Sequence, residues 1–177
     1  MKRDEIRSRL FVLCAALTLA LGAAAERVDV HANAFREGGW KLDVQFMDVM
    51  GSPYLIAHGL GFPVPDAVAE VAVPSSGKWR VWVRTRKWVD GAGAFKVLVN
   101  GRAVPRVFGC GDSSWSWEDG GEIEIAAGET EIRLRDEDGF DGRCAGIVLA
   151  KEDGRPDRSG QESASPLGAI SVLDQKP

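Results

Sequence analysis

The 177-residue sequence has only two histidines, three cysteines and one tyrosine. His31 and His58 are far apart, so the chain has no histidine pair at metal-ligand spacing, and it has no phosphate loop, dinucleotide fingerprint or nucleophile elbow. Glu118 and Asp119 are paired carboxylates of the kind that glycosidases use, but adjacency in sequence does not set the separation that this chemistry requires. The sequence therefore gives little support to an intrinsic enzyme.

Long apolar runs are also scarce. The one uncharged, mostly apolar run extends from Leu10 to Ala25, after a basic start, and ends in the small residues that a signal peptidase needs. Its length is below the roughly 20 residues that span a bilayer core, which argues against the alternative of a short membrane anchor. We expect residues 1–25 to be a signal peptide and the chain to be secreted or periplasmic, with no membrane contact after cleavage.

Clusters of basic residues are missing from the rest of the chain. Cleavage after Ala25 would leave 152 residues with 18 basic and 24 acidic side chains, a net charge of −6. An acidic domain without a lysine and arginine stripe is not expected to bind nucleic acid or an anionic membrane.

No window of a dozen residues shows a helical stripe, whereas strand-like alternation is frequent. Residues 79–86 alternate strictly, and Asn100-Gly101 separates two alternating apolar runs, which is a strong hairpin signal. The other candidate strands are Lys41–Phe46, Tyr54–Ala57, Val68–Val73, Phe95–Val99, Ala103–Phe108, Glu122–Ile125, Thr130–Leu134 and Gly146–Ala150. Eight or nine short strands predict an all-β domain over residues 26–150, a β-sandwich or jelly roll, with an up-and-down barrel as the alternative.

The segment that follows has a different composition. Residues 151–177 are charged and rich in serine and glycine at their start, which predicts a flexible tail or linker. Within the domain, Cys110 and Cys144 are the only cysteines, and they either form one disulfide in an oxidising compartment or remain two buried thiols.

Four of the six tryptophans lie on polar faces or in loops: Trp82, Trp88, Trp115 and Trp117. Aromatic faces in such settings stack on the apolar C–H faces of sugar rings, while the sugar hydroxyls need hydrogen bonds. The alternative is that these rings close the open ends of a sandwich. For the set as a whole we expect at least one ring to face a ligand.

A second cluster is acidic. Asp136, Asp138 and Asp141 lie within six residues and are interrupted by glycines, as in a calcium loop, but their spacing does not match an EF-hand. The alternative is a turn in which Asp138 and Asp141 bond to neighbouring backbone amides.

Several strings occur together in a specific order. They are Gly38–Trp40, Gln45–Gly61, Arg80–Trp88 and Gly139–Cys144, and the long string and the last one are the specific ones. In this respect the chain resembles the carbohydrate-binding-like β-sandwich of golvesin and xanthan-lyase-type proteins, modules of which are attached to secreted bacterial FAD-dependent oxidoreductases and polysaccharide-acting proteins.

The resemblance implies a galactose-binding-like jelly roll that holds a glycan or polysaccharide, with no catalytic residue and no cofactor. Carried over by position, the implied ligand-binding residues are Tyr54, His58, Arg84, Trp88, Trp115, Trp117, Phe140, Asp141 and Arg143. We expect them to converge at one end of the sandwich. The alternative function is a structural or assembly domain that packs against an oxidoreductase or lyase partner.

The chain departs from the family pattern at two places. His31-Ala32-Asn33 stands where such modules often have Glu-Ala-Glu, and Ala145 stands where they often have an acid. Acids at such places help to hold a structural calcium in related sandwiches, so their loss implies that this domain binds no metal.

Overall fold

The structure is a computed structural model that describes residues 26–36, 38–151 and 154–156. Its ten strands are β1 (Arg27–His31), β2 (Trp40–Asp43), β3 (Tyr54–His58), β4 (Ala67–Val73), β5 (Gly77–Thr85), β6 (Phe95–Val99), β7 (Arg102–Phe108), β8 (Ser116–Ile125), β9 (Gly128–Asp136) and β10 (Phe140–Ala150). A 3-10 turn covers Ala32–Ala34, and a one-turn helix, α1, covers Met47–Met50. Among the residues described, no helix has the length and apolar character needed to cross a membrane.

The strands form two antiparallel sheets. The six-stranded sheet has the order β2-β3-β10-β5-β8, and β1 pairs with the second half of β10 beside β3. The four-stranded sheet has the order β4-β9-β6-β7. Two separate sheets confirm the predicted β-sandwich rather than the barrel. The strand that the sequence prediction lacked is β1, which brings the number to ten.

The core lies between the two sheets and is built from alternate residues of each strand. Trp79, Val81 and Val83 of β5 face inward, as the strict alternation predicts, and all three are fully buried. Aromatic side chains also cross the gap between the sheets: the Trp40 ring meets Phe95 edge to face, with 5.5 Å between centroids. The opposite surface of the six-stranded sheet, here called the outer face, points away from this core.

The hairpin expected at Asn100-Gly101 joins β6 to β7. Both residues have positive φ, 48° and 76°, as a two-residue turn of this kind requires. The Asn100 side-chain oxygen also accepts a hydrogen bond from the Glu131 amide, which ties the turn to β9.

Several predicted strand boundaries are wrong. The strand predicted over Glu122–Ile125 is the end of β8, which begins at Ser116. The strand predicted over Lys41–Phe46 ends at Asp43, because the Asp43 carboxylate accepts a hydrogen bond from the Gln45 amide and turns the chain into α1. The strand predicted over Gly146–Ala150 is the second half of β10, which begins at Phe140 and crosses a bulge between Cys144 and Gly146.

Candidate functional site

The outer face of the six-stranded sheet carries aromatic rings and guanidinium groups instead of the short polar side chains of a plain solvated face. Its residues come from alternate positions of β3, β5 and β10 and from the loops at their ends. We define the aromatic–arginine cluster as Phe46, Tyr54, Arg86, Trp88, Trp115 and Arg143.

The rings of this cluster are in mutual contact. Phe46 lies 6.3 Å from Trp88, 6.0 Å from Trp115 and 5.7 Å from Tyr54, measured between ring centroids. Trp115 and Tyr54 are 5.0 Å apart. Trp88 is the exposed member of the set, at 40% of its full accessibility, whereas Tyr54 is completely buried. The cluster is thus a packed aromatic layer with one ring presented to solvent.

Two arginines are inserted between these rings. The Arg143 guanidinium lies 4.2 Å from the Trp88 ring centroid, and the Arg86 guanidinium lies 4.7 Å from Phe46 and 5.4 Å from Trp88. Guanidinium groups at such distances are attracted to the ring faces by cation–π interactions. The Trp88 ring therefore has a supported underside, which fixes its orientation.

Arg143 is only 3% exposed, and Nη1 donates to the carbonyl oxygen of Asp141 over 2.8 Å. Its Nε, like that of Arg86, is buried without a hydrogen-bond partner among the described residues. Burial, and next the neighbouring positive charge of Arg143, lower the pKa of Arg86.

Beneath the rings, the Tyr54 hydroxyl donates to the Asp43 carboxylate over 2.7 Å. This bond lowers the pKa of Asp43, while burial, followed by the same bond, raises the pKa of Tyr54 to about 12. At neutral pH the pair is a phenol bound to a carboxylate, a fixed support for the first residue of β3.

A histidine and an aspartate lie beside the cluster. His58 Nδ1 and Asp141 Oδ1 are 2.7 Å apart, and Asp141 has a left-handed backbone with φ of 56°. Phe140 pairs with His58 in the β10–β3 register and is half exposed. Because Arg143 binds the Asp141 carbonyl, this polar pair adjoins the cluster.

Arg84 and Trp117 occupy another part of the outer face. They oppose each other across β5 and β8, and Trp117 packs with Trp82, Val148 and Ala150. Trp82 is only 7% exposed, and the guanidinium of Arg155 lies 5.6 Å from its ring centroid. Trp82 is thus covered within the chain, which matches the alternative in which a tryptophan has a packing role.

The structure brings Tyr54, Trp88, Trp115 and Arg143 into one cluster, with His58, Phe140 and Asp141 at its edge. It places Arg84 and Trp117 further along the sheet. The residues meet on the outer face and its adjoining loops rather than at an open end of the sandwich alone. Sequence reasoning missed Arg86 and Phe46. Arg86 continues the alternation of Arg80, Trp82 and Arg84, and this signal could have identified it.

The two carboxylates considered for glycosidase chemistry do not face each other. They are consecutive residues of β8, so their side chains point to opposite faces of the sheet. Glu118 is buried and pairs with Arg106 over 2.9 Å, whereas Asp119 pairs with Arg80 over 3.1 Å. Burial raises the pKa of Glu118. Each carboxylate already has its own structural partner.

Both cysteines are free thiols, so the disulfide interpretation is wrong, and the alternative of two buried thiols holds only for Cys144. Cys144 points into the core from the centre of β10 and is 1% exposed, whereas Cys110 lies exposed in the loop after β7. Burial raises the pKa of Cys144 to about 12.

The two places where related modules often have an acid, and where this chain has none, lie close together. His31, Ala32 and Asn33 line a pocket of about 120 Å³ with Ala145 and Ser52. Among the described residues, no group of three histidine, cysteine, aspartate or glutamate side chains is placed to hold a metal. Ala32 and Ala145 contribute methyl groups to the wall of this pocket, and methyl groups are not metal ligands.

The acidic segment that contains Asp136, Asp138 and Asp141 forms a turn, which was the alternative to a calcium loop. Asp136 accepts from the amides of Val64, Asp138 and Gly139, and Asp138 accepts from those of Ala94 and Phe140. Asp141, also expected to bond a backbone amide, binds His58 instead.

Comparisons with known proteins identify the fold. No family model matches the chain, and no curated protein matches it. Among solved structures, it is similar to a family 35 carbohydrate binding module from Clostridium thermocellum, with a TM-score of 0.58, 18% identity, and coverage of 71% of this chain and 98% of that one. A CBM35 from Paenibacillus barcinonensis gives a TM-score of 0.56 at 14% identity, with 71% and 98% covered.

A third neighbour is a larger protein. The GH26-CBM35 β-(1,4)-mannanase of Podospora anserina matches with a TM-score of 0.58 at 16% identity over 74% of this chain. The chain spans 29% of the length of that enzyme. The expected jelly-roll β-sandwich is thus confirmed as the fold that carbohydrate-binding modules have.

Proposed function

We propose that this protein is a non-catalytic carbohydrate-binding module whose ligand stacks on Trp88. The observation that carries the proposal is the half-exposed Trp88 ring, supported from below by Arg143 and at its edge by Phe46. A rigid aromatic face costs little conformational entropy on binding and matches the apolar face of a pyranose ring. The modules with the same fold are named as carbohydrate-binding, which supports the same conclusion.

The neighbouring polar groups are suited to sugar hydroxyls. His58 and Asp141 provide a donor and an acceptor at the edge of the cluster, and the guanidinium of Arg86 lies beside the Trp88 ring. Tyr54 and Trp115 form the layer beneath, so their role is to position the contact residues. Phe140, Arg84 and Trp117 extend the surface to either side of this centre.

The wider context of the module is also part of the proposal. A signal peptide over residues 1–25 would export a domain of residues 26–150, followed by a tail over 151–177, to the periplasm or the cell exterior. The finer assignment to golvesin and xanthan-lyase-type modules is supported by the Gln45–Gly61 and Gly139–Cys144 strings. The separate pairing of Glu118 and Asp119 supports a role without catalysis.

Retention on polysaccharides tests the proposal. The full chain is run through gels that contain neutral and acidic polysaccharides, with Trp88→Ala beside it. We expect at least one polymer to retard the wild type, and Trp88→Ala to weaken this binding about tenfold or more, as truncation of a central aromatic anchor does.

Val107→Ala is the matched control, because Val107 is exposed to a similar extent, 43%, on the four-stranded sheet. Its retardation should equal that of the wild type. Retardation by no polymer, or equal retardation of all three proteins, would contradict the proposal.

A second candidate has its own observation. Leu60, Phe62 and Phe140 are exposed by 72%, 78% and 46%, and Phe140 lies against the Leu60–Phe62 loop. An exposed apolar patch is typical of protein contacts, which favours an assembly domain of a secreted FAD-dependent oxidoreductase or polysaccharide lyase. Its expected signature is co-elution with such an enzyme that is lost in Phe62→Ser while the variant stays folded. A monodisperse monomer that binds polysaccharide would count against it.

A further inference from the structure

Three arginines on the outer face have no acidic partner. In the part of the chain that the structure describes, Arg84, Arg86 and Arg143 form no ion pair with a carboxylate. Six other arginines do so, and one of them, Arg80, lies on the same face: Arg27, Arg36, Arg80, Arg106, Arg133 and Arg135. The contrast is notable in a chain with 26 acidic and 22 basic residues. Asp43 is close enough to interact electrostatically with Arg143, but Arg84 and Arg86 add two further positive charges, so positive charge is in excess around the aromatic cluster.

The missing ion pair costs the most folding stability at Arg143. A guanidinium that is 3% exposed loses most of its hydration, and a buried charge without a directly paired counter-charge is destabilising. Arg143 Nη1 donates to the neutral carbonyl of Asp141, the side chain also interacts with the Tyr54 hydroxyl, and Nε has no hydrogen-bond partner among the described groups. The Asp43 carboxylate acts on Arg143 electrostatically, but it is hydrogen-bonded to Tyr54 and forms no ion pair with the arginine.

Arg86 adds a second charge next to the first. Its guanidinium contacts the rings of Phe46 and Trp88, and its Nε is likewise without a partner. Two neighbouring guanidinium groups repel each other, and both remain charged at neutral pH. Arrangements that cost stability persist at sites where a ligand supplies the missing interaction. The ligand that would do so here is an anion.

We propose that the aromatic–arginine cluster binds an acidic glycan, in which the sugar ring stacks on Trp88 and its anionic substituent is bound by Arg86. This inference rests on the proposed function and adds the substrate class. The anion is a carboxylate on the ring, as in a uronic acid, or a sulfate ester, since the guanidinium fork recognises either oxyanion through charge-assisted hydrogen bonds.

The two arginines have different parts in this arrangement. Arg86 is only partly buried and lies beside the exposed Trp88 ring, so it is the group that can reach the ligand. Arg143 is covered by Trp88 and acts as a fixed positive charge beneath the ring. Arg84 extends the positive potential along β5 toward Trp117, where a second sugar residue of a chain could lie.

Matched pairs of polymers test this inference. The full chain is equilibrated with bead-immobilised polygalacturonate and with the same polymer after carboxyl reduction, and with a sulfated galactan and its desulfated form. We expect one charged polymer to bind about tenfold or more tightly than its uncharged counterpart, with the difference decreasing as salt is raised. The polymer pair that shows the difference identifies the anion as carboxylate or sulfate.

Three variants identify the residue. Arg86→Gln should abolish the preference, so that the charged and the neutral form of the polymer bind equally, while Arg86→Lys should keep part of it because the charge remains. Arg102→Gln removes an exposed arginine from β7 of the other sheet and should have no effect. Far-ultraviolet circular dichroism checks that each variant is folded.

The outcomes separate the two proposals. If charged and neutral polymers bind the wild type equally, the acidic-glycan inference is wrong and glycan binding stands. If Arg86→Gln and Arg102→Gln weaken binding to the same extent, the attraction is general and the site assignment is overturned. If no polymer binds at all, the proposed function fails and this inference fails with it.

Discussion

Tyr54 is the only tyrosine in the chain, and it is fully buried beneath the aromatic–arginine cluster. Burial and the hydrogen bond to Asp43 raise its pKa to about 12, from an ordinary value of 10.0. Because the folded value is the higher one, this environment stabilises the fold fully below pH 10. That stabilisation is lost as the pH rises through 12.

A spectroscopic titration follows this residue without interference from other tyrosines. The ultraviolet absorbance of the phenolate should appear with a midpoint near pH 12 in the folded protein and near 10 in denaturant. Asp43→Asn removes the negative charge that disfavours the phenolate, so its midpoint should fall below that of the wild type while staying above 10. A wild-type midpoint near 10 would contradict the buried, hydrogen-bonded geometry.

At the scale of the element, β10 links the site to the fold. Its second half pairs with β1 and β5 at the centre of the six-stranded sheet, and its first half carries Phe140, Asp141 and Arg143. The strand is preceded by Gly139, which has φ of 77° and whose carbonyl accepts from the amides of Gly59 and Gly61. The loop with Leu60 and Phe62 is therefore fixed to the start of β10.

Two glycines with nearly the same backbone provide a matched test of this link. A Cβ at Gly139 would lie 2.4 Å from the Phe62 backbone, whereas a Cβ at Gly101, with φ of 76°, would meet nothing within 4 Å. Gly101→Ala should cost about 1 kcal/mol through backbone strain alone. Gly139→Ala should cost more than about 2 kcal/mol, because the loop must also move. Urea denaturation measures both, and equal costs would show that the loop does not pack on β10.

Elements governed by local chemistry could be predicted from the sequence. The alternation of β5 and the Asn100-Gly101 turn depend on neighbouring residues only, and both are confirmed. The early end of β2 depends on a single side-chain bond from Asp43, and the early start of β10 depends on pairing with β3. Such partners are distant in sequence or compete with strand propensity, so periodicity alone cannot identify them.

At the scale of the whole molecule, the site depends on which rings the fold covers. Trp88 and Trp82 are both on the polar side of the alternation, yet Trp82 is buried by Trp117 and by contact with Arg155. Lys151 also contacts the sandwich, with its ammonium 5.3 Å from the Trp79 ring and 3.2 Å from the Glu26 carboxylate. The beginning of the predicted tail therefore covers part of the domain, and sequence patterns did not indicate this.

Only part of the candidate site follows from residue types. The resemblance selected Tyr54, Trp88, Trp115 and Arg143, which the fold brings together. Phe46 was assigned to a strand and joins the cluster because the chain turns at Asp43. Whether an arginine has an ionic partner also depends on the folded molecule, because the fold decides which carboxylates lie near it.

Glycan stacking on Trp88 can be observed through the six indole N–H signals in a two-dimensional NMR spectrum during titration with an oligosaccharide of the retained polymer. A Trp88→Phe variant assigns the key signal. The Trp88 indole signal should shift most, while those of Trp40 and Trp79, buried in the core, should not move. An unchanged Trp88 signal alongside demonstrated binding would contradict this stacking.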